Sequence, residues 1–101
     1  MMKCLFLYDE FGKGMGLPSM KDSFMDKPYK GQEQVAAYLE KGKKTYAKVE
    51  LPTDKFTGER IFVESCGMTD GEYTWLSVIP YYVRKYNLRL PKEFEEKVLN
   101  N

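Results

Sequence analysis

Apolar positions recur along this chain with two different periods, and the period predicts the element. Residues 3–8 form a short apolar run rich in β-formers, read as an interior strand because both alternating faces are apolar. In residues 32–41, Val35, Tyr38 and Leu39 fall at i, i+3 and i+4, which places one apolar stripe on a helix. Glu33 in the first turn and Lys41 in the last suit the macrodipole, and Gly42 is expected to end the helix in the left-handed region. Residues 45–51 alternate, with Ala47, Val49 and Leu51 on the inner face of a half-buried strand. Residues 60–66 read as the next strand. Asp70-Gly71 is the strongest hairpin signal and leads to a strand through Trp75. These three strands are expected to form an antiparallel meander.

Helical spacing returns after Ser77, the expected N-cap. Pro80 falls in the first turn, and Ile79, Tyr82, Val83 and Tyr86 line one face, with Asn87 a left-handed stop. A last helix starts with Pro91 at its first position and places Phe94 and Val98 inward. Residues 11–31 hold many of the glycines and read as a long loop. A single helical turn capped by Ser19 is expected over 19–24, with Asp22 three residues on and Met15, Met20, Phe24 and Met25 packed against the body. The order β, loop, α, β, β, β, α, α predicts an α+β fold. It is an antiparallel sheet of about four strands with two or three helices packed on one face, in a single domain over 1–101. The first strand is expected to join the meander in its middle.

Composition narrows the chemistry. The chain has 101 residues, 43% hydrophobic and 15% aromatic, with sixteen Lys+Arg against fifteen Asp+Glu. It has no histidine, which removes imidazole bases, Ser-His and Cys-His dyads and histidine-ligated metals. The balanced charge argues against a protein that chiefly grips nucleic acid. No apolar run reaches the length of a membrane span or a signal-peptide core, so the expected compartment is cytoplasmic, with Cys4 and Cys66 as reduced, buried thiols.

Three constellations remain. Gly12, Gly14 and Gly16 follow a strand, but the spacing matches neither a dinucleotide fingerprint nor a P-loop. Asp9, Glu10, Asp70 and Glu72 would hold a hard cation only if the first strand met the hairpin. Lys41, Lys43, Lys44 and Lys48, with Tyr46 among them, are a basic group at a helix end. No cofactor is expected. The aromatic residues suggest contact instead: Tyr82 and Tyr86 belong to the core face of their helix, whereas Tyr81 and Lys85 lie on another face. Tyr73, Tyr81 and Lys85 are the candidate partner-contact residues.

The run Thr69-Asp70-Gly71-Glu72-Tyr73-Thr74-Trp75, then Tyr81-Tyr82-Val83-Arg84-Lys85-Tyr86, then Leu90-Pro91-Lys92-Glu93-Phe94 resembles a pattern recurring in small uncharacterised bacterial proteins. Leu76 stands where that pattern usually has Pro. The resemblance implies that Trp75, Tyr82 and Phe94 are core anchors. It transfers no catalytic residue. The expected function is a non-enzymatic protein-binding module, in its most concrete form a toxin-neutralising immunity protein, with a protein partner or self-association. The alternative is a small ligand- or nucleotide-binding domain, or a metal-dependent enzyme, using Gly12, Gly14, Gly16 and nearby carboxylates.

Overall fold

The computed structural model describes residues 3–4 (backbone), 16, 19–47 and 51–100. The fold is α+β. Three strands, β2 (Lys43–Ala47), β3 (Cys66–Thr69) and β4 (Tyr73–Leu76), form the antiparallel meander read from the sequence. A two-residue strand, β1 (Lys3–Cys4), runs parallel to β4 and gives the order β1-β4-β3-β2. Among the described strands β1 therefore lies at an edge, not in the middle. The rest of the expected 3–8 strand lies outside the described residues.

Tyr73, Trp75, Met68 and Cys66 share one face of the sheet, because side chains alternate along a strand and Met68 pairs with Trp75. The three helices, α1 (Gln32–Glu40), α2 (Ile79–Tyr86) and α3 (Lys92–Leu99), cover that face. Phe94 of α3 meets Tyr73 and Trp75 edge-on, at ring separations of 5.1 and 6.0 Å, and Tyr38 of α1 at 5.7 Å. Trp75, Tyr82 and Phe94 are all buried, as are Val35, Leu39, Ile79 and Val83 on the predicted helical stripes. No helix of the described residues is long and apolar enough to cross a membrane.

Several boundaries differ from the sequence reading, each for a local reason. Gly42 does not adopt a left-handed conformation. Its lack of a side chain serves packing, since an added Cβ would lie 2.6 Å from the Trp75 ring. The strand expected over 60–66 pairs only from Cys66 onward, while Arg60 forms an isolated bridge with Thr53. Ile61, Ser65 and Cys66 turn inward from that segment, leaving Phe62 and Val63 exposed. β2 is exposed along its whole length, and Leu51 is exposed too, so the half-buried alternation is not realised there. Val49 lies outside the described residues. Ser77 does not cap α2, whose N-cap is Val78. Its hydroxyl instead accepts from the Cys66 N–H and donates to the Glu64 carbonyl, tying the end of β4 to the start of β3. Pro91 is the N-cap of α3 and not its first residue; its carbonyl accepts from Phe94 and Glu95 N–H. Asn87 ends α2 at φ 56°, as read.

The turn expected after Ser19 is a 3-10 helix, Met20–Ser23, with the Ser19 hydroxyl accepting from the Lys21 N–H. Met20 is buried and Phe24 packs on the core, but Met25 is exposed. Met15 lies outside the described residues.

Candidate functional site

Residues 52–61 fold back on themselves as a small hairpin. The Asp54 N–H donates to Glu59 O at 2.7 Å, the Gly58 N–H to Asp54 O at 2.8 Å, and the Ile61 N–H to Pro52 O at 2.9 Å. Gly58 takes the positive φ of 79° that closes the turn. Asp54 Oδ1 accepts from the Phe56 and Thr57 N–H groups, the usual use of an aspartate in a turn. Its other oxygen does something the local sequence does not announce. Oδ2 accepts from the hydroxyls of Tyr81 at 2.7 Å and Tyr86 at 2.6 Å, both on α2, with Lys85 Nζ at 3.4 Å. The Asp54 side chain has no exposed surface. The hairpin is also held by Phe56, which meets Phe24, Tyr82 and Tyr86 edge-on. Tyr82 Oη accepts from the Lys55 N–H.

The electrostatics of this cluster are those of a structural anchor. Burial alone would push the Asp54 carboxyl up, but the hydroxyls of Tyr86 and Tyr81 and the two backbone N–H groups outweigh it and hold the group well below its ordinary value. Burial, together with the neighbouring carboxylate, pushes Tyr86 up to about 12 and Tyr81 upward as well. Lys85 is raised by its hydrogen bond to Tyr81 and by Glu59. At neutral pH the carboxylate is fixed charged and the phenols neutral. Such a carboxylate is a poor general base and such phenols are poor acids.

The anchor sets the position of the segment that follows it. Between that segment, α2, the end of α1 and β3 lies a groove with a cavity volume of about 660 Å³. Its floor is buried and apolar: Leu39, Ile61, Cys66, Met68 and Pro80. Its rim carries Lys44, Glu64, Arg60, Phe62, Arg84 and Lys85. Most of the rim charge is already paired. Arg84 clasps both Glu33 and Glu40 of α1, Lys44 pairs with Glu64, and Lys85 with Glu59. Arg60 differs. Its guanidinium lies 5.3 Å from the centre of the Phe62 ring, and none of the described residues pairs it with a carboxylate. Phe62 is 85% exposed.

The structure brings two of the three candidate contact residues, Tyr81 and Lys85, to the groove rim. Tyr73 belongs elsewhere. It is 4% exposed, with its ring against Phe94 and Lys97 Nζ 5.2 Å from the ring centre, so it is a core residue and offers no contact surface. Its place in a four-residue strand facing the helices explains the burial. Asp54, Arg60 and Phe62 are the site residues that sequence reasoning missed. The tyrosine partners of Asp54 are 27 and 32 positions away, out of reach of any local pattern.

Of the four carboxylates considered for a cation, Asp70 and Glu72 are engaged otherwise. Asp70 Oδ1 accepts from the Glu72 and Tyr73 N–H groups, and Oδ2 from Tyr38 Oη and Lys97 Nζ. Glu72 pairs with the same Lys97 at 2.8 Å. Among the described residues no group of three or more acidic or cysteine side chains is placed to hold a metal ion. Asp9, Glu10, Gly12, Gly14 and Lys48 lie outside the described residues, and Gly16 is exposed at φ 72°. Cys66 is a free, buried thiol, whereas the Cys4 side chain is outside the description. Compared with family models, curated proteins and solved structures, the chain finds no match in any of the three.

Proposed function

We propose that this chain is a non-enzymatic protein-binding module whose contact surface is the groove between the 60–65 segment and α2. The observation that carries the reading is Phe62. A phenylalanine ring 85% open to water at the lip of an apolar groove costs free energy in the isolated chain, and a partner that covers it recovers that energy. Aromatic and arginine side chains are the groups that most often dominate protein interfaces, and here Arg60 and Phe62 lie together. The ionisable groups around the groove support the same view. Asp54, Tyr81, Tyr86 and Lys85 are locked into mutual hydrogen bonds, which suits a rigid contact face better than proton transfer. Neutralisation of a toxin is the most concrete form of this function, since a small preorganised face suits a tight one-to-one complex.

The test is a photo-reactive amino acid placed at position 62, and in a parallel chain at the exposed Lys92 of α3, each irradiated in the native cell. A discrete adduct from position 62 and none from position 92 is expected. No adduct from position 62, or the same adducts from both positions, removes the reading.

A further inference from the structure

We propose that the partner enters the groove as a peptide segment carrying an apolar side chain beside a carboxylate, with the apolar group on the Ile61–Met68 floor and the carboxylate on Arg60. This deepens the protein-binding reading and rests on it. Charge complementarity selects the chemistry. The rim offers Lys44, Arg60, Arg84 and Lys85 against Glu40 and Glu64. Arg84 is held by two carboxylates of α1, Lys44 has one carboxylate close by, and Lys85 has two. Arg60 is the rim cation left with a ring for a neighbour and no counter-charge among the described residues. A guanidinium beside an aromatic ring face spends none of its N–H donors on a counter-charge, which leaves the planar fork free for a carboxylate. A basic partner would meet an unscreened like charge there.

The exposure of Phe62 selects a polypeptide over a small amphiphile. Phe62 lines a cavity of about 660 Å³ and is 85% exposed, so an occupant confined to the cavity, such as a free fatty acid, meets only the part of the ring that faces it. Only an occupant that continues beyond the rim covers both. The floor also suits side-chain insertion: Met68 is a flexible thioether that adapts to varied apolar shapes.

The experiment selects short random peptides displayed on phage against the immobilised full chain. Enriched peptides are then measured by fluorescence anisotropy against wild type, Arg60→Gln and Phe62→Ser, with decanoate as competitor. The expected result is enrichment of peptides with Asp or Glu within a few positions of Leu, Ile, Met or Phe. Arg60→Gln is expected to weaken them about tenfold, the scale of losing one charge-assisted pair in a partly desolvated site. Replacing the peptide's acid by its amide should weaken wild-type binding equally and leave the Arg60→Gln chain unaffected. Phe62→Ser should weaken binding while decanoate competes poorly. Enrichment of basic or uncharged peptides, or no enrichment at all, overturns the proposal. So does equal affinity for wild type and Arg60→Gln, or decanoate competing as strongly as peptide. A photo-adduct at position 62 with basic peptides enriched would keep the binding module and overturn only the acidic partner.

Discussion

The indole N–H of Trp75 donates to the main-chain carbonyl of Leu39 at 3.2 Å, so the chain's one tryptophan is held against the last turn of α1. The same carbonyl accepts from the Gly42 N–H at 3.3 Å, so the indole adds a second donor at the helix end. The indole bond also brings the ring so close to the chain after α1 that only glycine fits at position 42. Gly67 is crowded too, but by the side chains of Thr45 and Tyr46 on the exposed strand β2.

Gly42→Ala is therefore expected to destabilise the fold by about 1–3 kcal/mol, the scale of overpacking where the neighbour cannot move away. Gly67→Ala should cost less, because Thr45 and Tyr46 can swing into solvent. Urea denaturation followed by Trp75 fluorescence ranks the two variants; the reverse order would contradict this account.

Removing the Asp54 carboxylate strands two tyrosine hydroxyls and two backbone donors. Asp54→Ala is expected to lose about 2–4 kcal/mol, at roughly 1–3 kcal/mol for each buried group left unpaired and with some of them rescued by water. Asp54→Asn keeps an acceptor for the backbone donors and presents an amide to hydroxyls that can also accept, so it should lie between the alanine variant and wild type. Denaturation midpoints at fixed protein concentration give the order.

The same carboxylate shapes the pH profile. Asp54 and Asp70 both titrate below their ordinary 3.8 when folded. For Asp70 as for Asp54, burial opposes the shift, and here the Tyr38 hydroxyl, backbone N–H groups and Lys97 outweigh it. A group depressed in the folded state contributes stability above its unfolded value and loses it as pH falls through the folded one. Stability is thus expected to hold from about pH 5 to 8, with no histidine step, and to drop below about pH 4. Tyr86, raised to about 12 by burial and by Asp54, behaves oppositely. Its contribution is complete below the unfolded value of 10.0 and is lost between there and about 12. Thermal unfolding across pH, with Asp54→Asn flattening both limbs, checks the assignment.

Phe62→Ser should leave stability within about 1 kcal/mol of wild type, the scale of losing one exposed cation–π contact at a surface position. It should abolish the photo-adduct and peptide binding proposed above. A large loss of stability would mean that the ring serves the fold and not a partner.

Helical stripes and the hairpin were legible in the residues because their signals are local. Val35, Tyr38 and Leu39 repeat with the helical period, and Asp70-Gly71 carries its own turn chemistry. The 60–66 strand was misplaced because Ile61 and Val63 alternate like strand residues, although the ladder to β2 starts only at Cys66. Tyr73 was read as surface because a tyrosine's hydroxyl leaves its burial undecided until the opposing Phe94 is known. The groove was illegible for the same reason as the Asp54 anchor: both depend on α2 meeting a hairpin far away in sequence. Tyr81 and Lys85 could be assigned to the outward face of α2 from spacing alone, but what lay opposite could not.

The closure of the core by Phe94, and of the Asp70 turn by Lys97, has a consequence for how the chain folds. Tyr38, Tyr73 and Trp75 all rest on a ring supplied by α3, so the hydrophobic seam cannot be completed during synthesis until α3 has left the ribosome. Until then the aromatic residues of α1 and the hairpin lack their common partner, a period in which exposed apolar surface invites association. Assembly of the core should therefore wait for α3, since it rests on contacts between residues distant in the chain.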